Sequence, residues 1–153
     1  MSDIDVKIVE LPPMRVISAY GFGEQPEPIA WEKLLAFALA KGLRKEKELP
    51  QTFGFNNPNP SKGSPNYGYE LWIPAADDVM PEDDLRVVHF EGGLYGVTRF
   101  KDLNTIGRVW QQLVKWREGS KYKHAHHQWL EEQTFASDDF TEIEFNLYLP
   151  ITE

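Results

Sequence analysis

Apolar positions along the chain fall into period-two and helical runs, and the same succession occurs twice. Residues 6–11, Val-Lys-Ile-Val-Glu-Leu, alternate as a strand does, and Met14–Tyr20 continues as β-branched and apolar sequence. Between them Pro12-Pro13 predicts a bulge or tight bend, because neither proline can donate to a ladder. A helix is predicted from Pro28, a residue suited to a first turn. Trp31, Leu34, Leu35, Ala38, Leu39 and Gly42 then form one apolar stripe at i, i+3, i+4, i+7, i+8 and i+11. Gly42 closes it, and Lys41, Arg44, Lys45 and Lys47 put cations at its negative end. Gln51–Asn56 and Tyr67–Pro74 read as strands separated by a loop rich in Asn, Pro, Ser and Gly.

An acidic connector over residues 75–84 leads to a second round. Leu85–Phe90 reads as a strand, Glu91-Gly92-Gly93 takes the place of the proline bend, and Leu94–Phe100 continues. A helix over Asn104–Trp116 carries Ile106, Val109, Trp110, Leu113 and Val114, and strands over Gln128–Gln133 and Glu142–Pro150 follow. An offset of 79 carries Trp31, Leu34, Leu35 and Phe37 onto Trp110, Leu113, Val114 and Trp116. An offset of 76 carries Phe53-Gly54-Phe55 onto Trp129-Leu130-Glu131, and Tyr69–Pro74 onto Phe145–Pro150. Two copies are too few for a solenoid. The expected fold is α+β: two βαββ repeats about a pseudo-twofold axis, with an antiparallel sheet, two main helices and a ligand cleft between the repeats. One domain of 153 residues is divided as repeat one (4–75), connector (76–84) and repeat two (85–151).

The repeat also assigns faces. Phe53 and Phe55 form the apolar face of their strand, so the offset of 76 turns Trp129 and Glu131 inward and sends Glu132, matched to Asn56, to solvent. A carboxylate in an aromatic wall needs a partner, and the partner can be a ligand. Trp72 and Tyr148 lie on the strand face opposite Leu71/Ile73 and Leu147/Leu149, where an open groove would use them. Phe55, Tyr69, Tyr95, Trp31 and Trp110 complete the aromatic candidates, with core packing as the competing role for Trp110, Tyr69 and Tyr95.

Composition narrows the function. Aromatics at 13%, five Trp among them, suit a cavity for flat or lipophilic molecules. A net charge of −8 opposes direct nucleic-acid binding. The chain has no Cys, so disulfides, thiol nucleophiles and Cys-based zinc sites are excluded and a reducing cytoplasm fits. No signal peptide or membrane span is legible. Gly21-Phe22-Gly23 is half a dinucleotide fingerprint without its third glycine, and no Walker, nucleophile-elbow or zincin motif occurs. His124, His126 and His127 have no metal-ligand partner at suggestive spacing, so neither metal nor cofactor is expected.

The run over 87–100, Val-Val-His-Phe-Glu-Gly-Gly-Leu-Tyr-Gly-Val-Thr-Arg-Phe, together with Trp110-x-x-Leu113-x-x-Trp116, Leu130-Glu131 and the closing Asn146–Ile151, resembles the GyrI-like, or AraC-type effector-binding, domain family over essentially the whole chain. The resemblance implies the same α/β fold of two βαββ repeats, and a cleft for lipophilic, often cationic, small molecules with a glutamate as counter-charge, the position of Glu131. Gln133 stands where members often have an aromatic, and Asn146 where they have a Glu. With no room for a fused helix-turn-helix, a direct transcription factor is not expected. Three activities follow. The first is a stand-alone binder of lipophilic, cationic or genotoxic compounds. The second is a hydrolase opening strained cyclopropane alkylators, with Glu131 as acid–base group aided by Tyr95 or His89. The third is an acidic protein–protein modulator, for example of gyrase.

Overall fold

The computed structural model describes residues 4–43, 51–57, 62–136 and 143–153; the cations expected at Arg44, Lys45 and Lys47 lie outside them. In chain order the elements are β1 (Lys7–Leu11), β2 (Met14–Gly23), α1 (Pro26–Ala40), β3 (Phe53–Asn56), β4 (Tyr67–Pro74), β5 (Arg86–Phe90), β6 (Gly93–Phe100), a 3-10 turn (Leu103–Thr105), α2 (Ile106–Glu118), β7 (Lys123–His124), β8 (Leu130–Ala136) and β9 (Ile143–Thr152). The fold is α+β, with antiparallel strands and two main helices. No helix of the described residues is long and apolar enough to cross a membrane.

The chain divides into two compact units, Met14–Phe90 and the pair of segments Met1–Pro13 and Glu91–Glu153. In the first, the strands pair antiparallel in the order β3, β4, β2, β5. In the second the order is β8, β9, β6, β1, with β7 also on β9. The orders match element for element, but the leading strands are exchanged. β1 precedes β2 in sequence and pairs with β6; β5 precedes β6 and pairs with β2. The compact units are therefore not the sequence repeats 4–75 and 85–151. The crossings occur at Pro12-Pro13 and at Glu91-Gly92-Gly93. Gly92 has φ +80°, and a Cβ there would stand 2.4 Å from the Leu11 carbonyl oxygen, so this bend needs glycine.

Each sheet buries one face under its helix. In the Met14–Phe90 unit, Ile17, Ala19, Leu71 and Ile73 pack with Ala30, Leu34, Phe37 and Ala38 of α1. The stripe is rotated from the one expected: Leu39 is 53% exposed and Ala30 is fully buried. α1 is apolar on most sides, so close approach decides the face. A Cβ on Gly21 would come within 2.4 Å of the Pro26 carbonyl oxygen, which requires small residues along this contact. The helix also begins at Pro26 rather than Pro28, because the missing N–H is harmless at a first position. In the other unit Phe100, Leu147 and Leu149 pack on Val109 and Leu113 of α2. The Asp102 side chain caps the turn before α2 by accepting from the Asn104 amide at 3.0 Å.

Candidate functional site

The chemistry of both units lies on the sheet face turned away from the helix, and register decides which residues reach it. In β8, Leu130 is opposite Tyr148, Glu131 opposite Leu147 and Glu132 opposite Asn146. In β3, Phe53 is opposite Trp72 and Phe55 opposite Glu70. Since Trp72 and Tyr148 correspond, Phe53 corresponds to Leu130 and Phe55 to Glu132. The offset from β3 to β8 is thus 77, not 76, and a slip of one residue reverses every side chain of a strand. The expected faces are corrected accordingly. Glu132, assigned to solvent, is 8% exposed on the aromatic face, and half-buried Glu131 shares the helix-side face with Leu147.

Around Glu132 the second unit assembles a polar cluster in aromatic surroundings. The Tyr148 hydroxyl donates to Glu132 Oε1 at 2.7 Å, and the Asn146 amide donates to the same oxygen at 3.2 Å. Tyr148 stacks edge-on against Tyr95 with ring centroids 5.6 Å apart, and Tyr95 meets His127 in the same manner at 4.7 Å. The Tyr95 hydroxyl donates to the Gln128 carbonyl at 2.5 Å, and His127 Nε2 lies 2.7 Å from the Leu94 carbonyl oxygen. Burial pushes both phenols well above the ordinary tyrosine range, and for Tyr148 the adjoining Glu132 raises it further. Both hydroxyls therefore stay protonated at neutral pH, and Tyr148 acts there as a donor.

The first unit holds a second buried carboxylate, Glu70, 2% exposed. Its Oε2 accepts from the Ser18 hydroxyl at 2.8 Å and the Trp72 indole N–H at 2.7 Å. Its Oε1 accepts from the Asn57 side-chain amide at 3.2 Å, and Arg86 Nη2 forms an ion pair with Oε2 at 3.2 Å. Asn57 is itself held, its amide N–H donating to the Gly68 carbonyl at 2.8 Å and its carbonyl accepting from the Tyr20 hydroxyl at 2.7 Å. Trp72 packs edge-on against Phe55 at 4.8 Å and tilted against Phe90 at 5.4 Å.

The structure thus brings together Phe55 with Trp72, and Tyr95 with Tyr148, each pair beside a carboxylate. The other aromatic candidates lie elsewhere. Tyr69 is buried in the α1 core and Trp31 packs against it half-buried. Trp110 and Trp129, 5.2 Å apart, pack against the α2 core. His89, on β5, is exposed. His124 and His126 are exposed with rings 4.7 Å apart, and among the described residues no group of three or more His, Asp or Glu is arranged to hold a metal. The acidic connector folds onto the first unit, where Asp84 pairs with Lys33 at 2.6 Å and Glu82 with Lys41 at 2.5 Å. Glu70 was legible: in Tyr-Gly-Tyr-Glu-Leu-Trp, period two puts it on the face of Trp72. Glu132 was hidden by the offset, and Ser18 and Asn57 carry no local signal.

A sequence model of the family described as integron-associated effector binding protein, Cass2, matches residues 7–151. Among curated proteins compared by sequence, none matches. Solved structures share the fold. EcmrR in a cryo-EM structure of an EcmrR–DNA complex has a TM-score of 0.72 at 13% identity, over 97% of this chain and 57% of that one. This chain therefore spans little more than half of that relative. A hydrolase from Listeria innocua has a TM-score of 0.66 at 12% identity, over 99% of this chain and 94% of that one. SAV2435, in a structure bound to tetraphenylphosphonium, has a TM-score of 0.58 at 10% identity, over 97% and 94%. At these identities the likeness is one of fold.

Proposed function

The chain belongs to the integron-associated effector-binding family, and we propose that within this small-molecule-binding fold it holds a lipophilic cation on the Glu132 face. The observation that carries the reading is a carboxylate 8% exposed, fixed by a tyrosine hydroxyl at 2.7 Å, whose ring meets a second tyrosine edge-on. A carboxylate held in place on an aromatic face attracts a cationic ligand more strongly than a neutral one of the same shape. Tyr148, backed by the buried ring of Tyr95, supplies the aromatic surface for cation–π contact. The lipophilic cation bound by the fold relative SAV2435 is the class of molecule this arrangement suits. The counter-charge expected at Glu131 passes to Glu132, and the cytoplasm remains the compartment that a chain without Cys fits.

Titration of tetraphenylphosphonium against intrinsic Trp fluorescence tests it. Saturable binding at least tenfold weaker in Glu132→Gln and unchanged in Glu131→Gln is the expected result. Equal affinity of Glu132→Gln and the wild type overturns it. Loss of affinity in Glu131→Gln alone returns the counter-charge to Glu131.

The Tyr148–Glu132 hydrogen bond also favours a second reading, hydrolysis of a strained electrophilic ring. Glu132 would take a proton from the attacking water while Tyr148 orients the carboxylate, and the ring carbon released by C–C cleavage would receive a proton. Mass spectrometry of a cyclopropane-bearing alkylator incubated with the protein tests this; ring opening by Glu132→Gln at the wild-type rate overturns it.

A further inference from the structure

The segment that follows β7 takes no part in the Glu132 reading, and it sets two imidazoles side by side. β7 is fixed to β9, with Lys123 opposite Thr152 and His124 opposite Ile151. Beyond it the side chains go on alternating between solvent and interior. Ala125 is 8% exposed, and the His127 ring turns inward, 2.7 Å from the Leu94 carbonyl oxygen and edge-on to Tyr95. His124 and His126 are left together on the solvent side, both exposed, with ring centroids 4.7 Å apart and planes at 82°. The backbone that carries them is tied at both ends, which sets their spacing before any ligand arrives.

We infer that His124 and His126 form a two-point chelate for a divalent transition-metal ion that takes a tetragonal set of ligands, Cu²⁺ or Ni²⁺. With a metal–nitrogen bond of about 2.0–2.1 Å, as in zinc sites, and about 1.1 Å more to the ring centre, each centroid stands about 3.2 Å from a shared ion. At that distance the 4.7 Å between the centroids subtends roughly 95° at the ion. Neighbouring positions of a square or octahedral set meet at such an angle, whereas a tetrahedral set would part the centroids by about 5.2 Å. The nearly perpendicular ring planes let both nitrogens turn to one ion without their C–H edges colliding. Among the described residues no third His, Asp or Glu joins the pair, so water completes the coordination. Both rings are exposed, and chelation costs only their side-chain freedom. The opposing charge is Arg117, whose field reaches His124 and whose Nη1 donates to the Pro150 carbonyl at 3.2 Å. Two nitrogens on one ion hold it where a single exposed histidine such as His89 does not, because the second bond forms within the chain.

The test is calorimetric titration of the full chain, free of any histidine tag, with Cu²⁺. One ion per chain is expected, held at least tenfold more weakly by His124→Ala and by His126→Ala. Affinity is expected to be unchanged in Glu132→Gln, which separates this site from the proposed one. The electron paramagnetic resonance spectrum of the wild-type complex should show coupling to two nitrogens. A measurement needing no variant accompanies it: at substoichiometric Cu²⁺ the ring-proton resonances of His124 and His126 should broaden before those of His89. The absence of stoichiometric binding, an affinity that survives both substitutions, a one-nitrogen spectrum, or broadening of His89 ahead of the pair overturns the inference.

Discussion

Glu70 and Glu132 occupy the same cross-strand pair in two equivalent sets of strands, but on opposite members of it. In one unit the pair is Phe55 with Glu70; in the other it is Glu132 with Asn146. Glu70 has an indole, a hydroxyl, an amide and an arginine around it, whereas Tyr148 and Asn146 donate to Glu132. The duplicated frame therefore fixes where a carboxylate can be buried, and the neighbouring positions decide what it is for. An arginine of the chain's own reaches Glu70 from solvent, and a buried phenol and an amide meet Glu132.

The comparison can be broken at several points, and the largest effect is expected from Glu70→Ala. It strands the Ser18, Trp72 and Asn57 donors, and should lower the unfolding free energy in urea by about 4 kcal/mol. A smaller loss would mean that water replaces the carboxylate there. Asn146→Glu gives the second sheet both carboxylates on one directly opposed pair. At roughly 5 Å and an effective dielectric of about 20, their repulsion is about 3 kcal/mol. The loss should shrink on acidification through the carboxylate range, and an equal loss at pH 7 and pH 4 would point to packing instead. Tyr148→Phe removes a charge-assisted hydrogen bond and should cost about 2 kcal/mol, read from the same denaturation curves.

Two finer tests separate the units further. The raised phenols of Tyr95 and Tyr148 keep their protons above about pH 10, where tyrosines of the unfolded chain lose theirs. The unfolded state then binds fewer protons, so stability is intact below pH 10 and falls as pH rises beyond it, by up to about 1.4 kcal/mol per unit for each group. Ultraviolet titration should show Tyr95 and Tyr148 ionising only with unfolding, and one such tyrosine fewer in Tyr148→Phe. Arg86→Lys, which keeps a cation at an exposed side chain, should cost less than about 1 kcal/mol. A larger loss would mean that the guanidinium itself, and not its charge alone, holds Glu70.

Most of the frame was legible because period two and period 3.6 are separate signals: β4 falls on Tyr67–Pro74 as read, and α2 lies within two residues of its expected bounds at either end. The two-residue β7 was missed, as nothing in Lys123-His124 alternates. What failed was the transfer of one offset to a second strand. The cross-strand partners Phe55 and Glu70 are one residue further apart in sequence than Glu132 and Asn146, and with a side-chain period of two that difference exchanged Glu131 for Glu132. Strand exchange was illegible for another reason: similarity between repeats gives the order of elements but not their partners, so nothing in Val-Lys-Ile-Val-Glu-Leu announced pairing with residues 93–97.

That exchange has a consequence for how the molecule is made. Met14–Phe90 is a continuous stretch and can close as soon as it has left the ribosome, whereas β1 is synthesised first and acquires its partner only when β6 emerges. For the intervening time β1 presents an unpaired strand edge, the kind that seeds aggregation. Lys7 and Glu10 within Lys-Ile-Val-Glu-Leu place one charge on each of its faces. Their value is greatest before the fold exists, as guards on a strand that has to wait.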